Sequence, residues 1–230
     1  MSVHLSKAAL AFLKGLKKNN DRVWFDERKP VYEKELKAPM LALAEEINAG
    51  LAKFAPDYVR PPQKAVMRIY RDIRFSKNKQ PYKTHVSAWW TRQGLEKTSG
   101  GGFYLEIGER GVMIAAGVYM PEKEQLLAIR RHLLDHHERL RKIMNAKKLR
   151  EAMTPIDPVR MTRGPKGFPA DHAAMDLILQ RQWGVSATLP IEHALQPALV
   201  SDILTHMKLA YPMVALLNEP LAPKPKEPLF

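Results

Sequence analysis

Arg68, Tyr70, Arg71, Asp72, Arg74, Lys77, Lys79 and Lys83 fall within one run, RIYRDIRFSKNKQPYK, and His85 stands just beyond it. Arginine offers forked donors that match phosphate or carboxylate oxygens, and lysine adds mobile point charges, so the mixture suits a polyanionic ligand. Asp72, set among cations, stays ionised; it can serve as a general base, a metal ligand or the internal partner that fixes one arginine. Between Arg60 and Lys83 eight Lys or Arg stand against that single acid, so this stretch holds +7 of the chain's +13. Tyr70, Phe75, Tyr82, Trp89 and Trp90 interleave with the cations. Rings so placed can stack bases of a single strand, or pack as core.

Extended backbone over residues 66–76 would put Arg68, Tyr70, Asp72, Arg74 and Ser76 on one side and Met67, Ile69, Ile73 and Phe75 on the other. Arg71 then falls on the apolar side, where it needs a buried carboxylate or a break in the strand. Residues 84–91 form a second strand candidate in which His85, Ser87 and Trp89 alternate with Val86, Ala88 and Trp90. Joined, the two make a hairpin with a basic loop at its tip. Residues 103–107 and 112–119 flank Gly108-Glu109-Arg110-Gly111, a tight-hairpin signal, and Gly117 marks a bulge or a close backbone approach.

Helices are expected at both ends. Leu5, Ala9, Phe12, Leu13 and Leu16 fall at helical spacing before Asn19, Asn20 and the capping Asp21. Tyr32, Leu36, Met40, Leu43, Ile47, Leu51 and Phe54 form the clearest apolar stripe, with Pro30 in its first turn and a kink or break expected near Lys37 from Pro39. Further helices are expected over 121–145, 147–153, 171–180 and 196–217, an extended segment over 183–189, and a flexible connector over 93–102. The fold class is thus α+β, a central antiparallel meander of about four strands flanked by N-terminal and C-terminal helices. Residues 1–219 are expected to form one domain and the Pro-rich 220–230 a disordered tail.

The absence of cysteine removes disulfides, thiolate nucleophiles and Cys-ligated zinc, which fits an intracellular, cytoplasmic protein. No apolar run approaches the roughly 20 residues that cross a bilayer, so no membrane role is expected. Glu106 shares a strand face with Tyr104 and can supply a second carboxylate or simply face solvent. His132, Asp135, His136 and His137 cluster on one helix, with His132 and His136 one turn apart. Without an HExxH motif they are taken as a solvated helix face, and no metal site is assigned. His172 is given a structural place at a helix start. Phosphate-loop, GxGxxG and GxSxG signatures are absent.

The run over 68–83 resembles the motif RxYRDxRFSKxKxPYK of the bacterial and fungal family known as domain of unknown function 2461. Asn19-Asn20, Trp24-Phe25, Tyr32, Gly102-Phe103-Tyr104-Leu105, Gly117 with Pro121, and Lys166-Gly167-Phe168 ahead of His172 extend the resemblance over nearly the whole chain. Two positions depart from it: Glu106, where many members carry histidine, and Lys166-Gly167-Phe168, which resembles a more frequent Arg-Gly-Tyr. The resemblance brings no activity, cofactor or protein partner with it. It implies that the motif residues act as one unit.

Three functions fit these residues. The first is an anion-binding protein that takes nucleic acid or a phosphorylated ligand through Arg68, Tyr70, Arg71, Arg74, Lys77, Lys79, Lys83 and His85. The second is an enzyme acting on a phosphorylated or carboxylated small molecule, with Asp72 as base or metal ligand. The third is an interaction protein in which the motif is a structural ion network.

Overall fold

The computed structural model describes residues 3–95 and 100–221. Ser6 accepts from the Ala9 N–H (3.1 Å) and caps α1 (Lys7–Lys18); Asp21 accepts from the Trp24 N–H (2.9 Å) and caps α2 (Arg22–Glu27). These side chains satisfy donors that a helix start leaves unpaired. α3 (Lys29–Tyr32) opens on Pro30 and passes through a π-helical turn, Glu33–Lys37, into α4 (Ala38–Leu51). The π turn lies just before Pro39, which has no N–H and whose ring crowds the carbonyl four residues back. Widening by one residue lets the helix pass its proline without breaking.

After α5 (Pro62–Ala65) come β1 (His85–Thr91), β2 (Gly101–Gly108) and β3 (Gly111–Val118). Next are α6 (Lys123–Met144), α7 (Lys147–Ala152) and β4 (Thr154–Pro155), then α8 (Met175–Ile178), β5 (Trp183–Leu189) and α9 (Leu199–Asn218). The strands make one antiparallel sheet in the order β1-β2-β3-β5-β4, and the fold is α+β. Residues 66–76, expected as its first strand, contribute only isolated bridges. The extra strands come from the far end of the chain, where β5 lies beside β3.

The chain forms two compact units interleaved in sequence. The first comprises residues up to Trp90, Tyr104–Ile114 and Thr188–Thr205. Its core holds the stripe Leu36, Met40, Leu43, Ile47 and Leu51 and the sheet residues Val86, Ala88, Trp90, Leu105, Ile107, Val112 and Ile114, all buried. The Trp90 indole donates to Asn48 Oδ1 (3.1 Å), and the Asn48 amide donates to the Arg60 carbonyl (2.7 Å). One buried amide therefore ties α4 to β1 and to the loop that leads into the basic segment.

The second unit comprises Thr91–Phe103, Ala115–Ala187 and the chain from His206 on. Here Asn218 donates to the Gly101 carbonyl (2.9 Å) and accepts from the Gly101 N–H (2.6 Å). Gly117, at φ +139, lies where an added Cβ would sit 2.1 Å from the Trp183 carbonyl oxygen, so the strand approaches β5 more closely than any side chain permits. The helix expected over 171–180 shortens to α8, because His172 Nδ1 accepts from the Ala174 N–H (3.1 Å) and turn hydrogen bonds replace the first helical ones. Glu219–Leu221 forms a 3₁₀ turn. The rest of the Pro-rich tail, and residues 96–99 of the expected connector, lie outside the described residues.

Candidate functional site

The basic segment does double back as a hairpin in the first unit, but through sparse pairing. Val66 bridges Ala88 and Tyr70 bridges Tyr82, both antiparallel; the Met67 N–H donates to the Ser87 carbonyl and the Lys83 N–H to the Ile69 carbonyl, each at 2.8 Å. Three residues separate Val66 from Tyr70, while five separate Tyr82 from Ala88. The return arm thus carries two extra residues, which breaks the ladder and keeps residues 66–76 from counting as a strand.

Two anchors hold this hairpin. Asn20 donates to the Tyr82 carbonyl (3.1 Å) and accepts from the Tyr82 N–H (3.0 Å), taking the place of a neighbouring strand. Around it Phe25 stacks on Tyr82 with ring centroids 4.1 Å apart, and Phe12, Trp24, Tyr32 and Tyr70 complete an aromatic box. Burial, helped by Glu33 and Tyr70, pushes the Tyr32 phenol up to about 12.

Alternation of exposure holds from Arg68 to Arg74, with Ile69 buried and Ile73 half-buried between exposed neighbours. It fails at Phe75, expected on the apolar side but 94% exposed, because the chain turns there: the Ser76 N–H reaches back to the Ile73 carbonyl (3.3 Å). Among the described residues Arg71 meets no buried carboxylate; its guanidinium donates to the Gln80 carbonyl (3.2 Å) across the loop. Lys79 donates to the Ile73 carbonyl (3.1 Å).

Asp72 is held by Arg74. Nε and Nη2 of Arg74 donate to its two oxygens at 3.1 and 2.8 Å, and the Arg74 N–H adds a third bond at 3.2 Å. The side-chain and backbone bonds from Arg74 hold the Asp72 carboxyl down to about 2. Of the three roles open to Asp72, this geometry fills that of arginine partner; so acidic a group is a weak base at neutral pH. Arg68 and Lys77 are exposed and make no hydrogen bond or ion pair among the described residues. Glu27 and Glu33 are engaged by Arg28 (2.7 Å) and Lys37 (2.8 Å).

Glu106 is half-buried and engages Tyr104 and His85 rather than Asp72. The Tyr104 hydroxyl donates to Glu106 Oε2 (2.8 Å), and His85 Nε2 lies 3.4 Å from the same oxygen. Burial lowers the His85 pKa; Glu106 opposes that, while Lys83 and Arg110 add to it. An added Cβ on Gly108 would meet His85 Cβ at 2.8 Å, and the Trp89 and Tyr104 rings lie 5.8 Å apart. Ser87 and Glu106 therefore fall between these two contacts on neighbouring strands. Ser87 is 1% exposed, and both its hydroxyl and the Trp89 indole N–H are buried without a hydrogen-bond partner among the described residues. The sheet face formed by His85, Ser87, Trp89, Tyr104 and Glu106 was half legible, since β1 and β2 alternation each put their members together but cross-strand pairing was needed to join them.

In the second unit His132 and His137 are largely covered, with side chains 13% and 15% exposed, so the histidine face of α6 is not solvated at those positions. The fold adds Glu219 to His132 and His136.

An α+β scaffold that clamps a basic hairpin onto an aromatic box is the class these features define. The chain belongs to the family described as conserved hypothetical protein (DUF2461), whose model matches residues 8–215. No curated protein matches it, and no solved structure does. Among the described residues no helix is long and apolar enough to cross a membrane.

Proposed function

We propose that the 68–83 hairpin binds a phosphate-rich polyanion, with single-stranded nucleic acid the ligand that best fits its chemistry. The supporting observation is the division of labour at the tip: Arg71, Arg74 and Lys79 are spent on the loop and on Asp72, while Arg68, Lys77 and the Phe75 ring are left facing solvent. Cations would take phosphates and the exposed Phe75 ring, over which the Arg74 guanidinium lies at 5.8 Å, a base. Fluorescence anisotropy with a labelled single-stranded oligonucleotide over a salt series tests this. Each phosphate contact contributes a slope of about −0.7 in log K against log salt, so Arg68→Ala with Lys77→Ala should flatten the slope by about 1.4. Phe75→Ala should weaken binding with little change in slope. Absence of binding at low salt, or binding indifferent to salt, rejects the proposal.

A second reading, an enzyme acting on a phosphorylated or carboxylated small molecule, is favoured by the unpaired Ser87 hydroxyl and Trp89 indole beside His85, Tyr104 and Glu106. On it, His85 and Glu106 handle the proton and Asp72 only orders Arg74. Glu106→Gln would then abolish turnover in a substrate screen while Asp72→Asn would reduce it less; equal loss, or none, goes against it.

A further inference from the structure

We propose that His132, His136 and Glu219 form a binding site for a divalent transition-metal ion of the zinc class. α6 places the two histidines one turn apart, so both imidazoles leave the same face, with ring centroids 4.2 Å apart and planes at 72°. Glu219 arrives from the 3₁₀ turn that follows α9. One ligand atom from each residue lies within 4.8 Å of the others.

The detail that points to a ligand is His132 Nε2. It lies 3.1 Å from Glu219 Oε2, yet it is buried and makes no hydrogen bond among the described residues. A buried imidazole nitrogen left without a hydrogen bond so close to a carboxylate oxygen is a group that a shared cation would satisfy. The carboxylate is itself held: Arg139 donates from Nη1 to Oε2 (3.0 Å) and from Nη2 to Oε1 (2.8 Å), leaving each oxygen a further lone pair. Ligating carboxylates are ordinarily oriented by such outer hydrogen bonds. The donor set, two imidazoles and one carboxylate, suits zinc, cobalt, nickel or copper and not the hard cations magnesium and calcium, which take oxygen. Three protein ligands leave a fourth position to water or to an exogenous group. The guanidinium of Arg139 opposes a dication, so binding is modest in strength, and the ion would fasten α6 to the end of α9.

The test is isothermal titration of the full chain with zinc after chelator treatment, repeated with cobalt for its visible absorption bands. One equivalent of saturable binding is expected, with a urea midpoint that rises with zinc concentration. His136→Gln and Glu219→Gln should each weaken binding at least tenfold, while His4→Ala, a control for surface histidine, leaves it unchanged. Circular dichroism without metal separates lost ligands from lost fold. No saturable binding by the unaltered chain overturns the proposal, and so does binding that survives both ligand variants in folded protein; either result leaves the cluster an ion-pair network of Arg139, His132 and Glu219.

Discussion

Asn20→Ala removes two hydrogen bonds at once, its donor to the Tyr82 carbonyl (3.1 Å) and its acceptor for the Tyr82 N–H (3.0 Å). Each is worth about 0.5–1.5 kcal/mol net, so the pair contributes about 1–3 kcal/mol. Tyr82 is 3% exposed, which hinders water from replacing the lost partner and puts the expected cost near the middle of that range, about 2 kcal/mol. With a urea slope of roughly 2 kcal/mol per molar, the midpoint followed by tryptophan fluorescence should fall by about 1 M. Asn20→Asp keeps the acceptor and loses the donor, so it should fall between. Because Asn20 carries no charge and lies outside the 68–83 run, Asn20→Ala should also weaken oligonucleotide binding without altering its salt slope. A midpoint shift below about 0.25 M would refute the view that this amide anchors the return arm.

The Asp72 carboxyl, held at about 2 by Arg74, lies below its ordinary 3.8. Its contribution to stability is therefore complete above pH 3.8 and lost as pH falls towards 2; Arg74→Lys should move it up towards the ordinary value in a carboxyl NMR titration. His85 sits below its ordinary 6.5 through burial, against the pull of Glu106. Its neutral form favours the fold above pH 6.5, and that contribution falls away as the ring protonates at lower pH. Glu106→Gln should push the His85 ring titration lower still, and an upward move would contradict the assignment.

Much of the fold was visible in residue pattern. The cap Asp21, the stripe as far as Leu51, the 108–111 turn and the close approach at Gly117 are local or one-dimensional signals, and each appears where spacing puts it, although Phe54, expected as the stripe's last member, falls in the turn after α4. What pattern could not carry is pairing between distant segments. The 66–76 stretch alternates like a strand, but whether it joins a ladder depends on the partner arm, whose two additional residues break the register. Likewise Glu106 reads as an isolated acid until the fold puts His85 beside it, and His132 and His136 lack a third ligand until the end of α9 arrives. The Asn19-Asn20 pair looked like a helix stop; its second member is also the clamp on Tyr82.

Within the motif, the residues divide by what the fold gains from them. Ile69 and Tyr82 are buried, and Arg71, Asp72, Arg74 and Lys79 close the loop on itself. A structural role, burial for the first two and loop-closing hydrogen bonds with one ion pair for the other four, accounts for all six. Arg68, which makes no hydrogen bond or ion pair among the described residues, enters it only through its charge on Asp72, and it does not account for Lys77, which makes none either, or for Phe75, which leaves 94% of its surface in water. Exposed positions of this kind change stability by about 0.5 kcal/mol or less when replaced. Arg68→Ser, Phe75→Ser and Lys77→Ser combined should therefore leave the urea midpoint within about 0.75 M of the parent, and yet abolish oligonucleotide binding. If the triple variant instead unfolds at markedly lower urea, these side chains support the fold through contacts the exposed tip does not display, and the motif is structural from end to end. A stable triple variant that still binds would move the anion site away from the tip, towards His85 and the half-buried sheet face beside it.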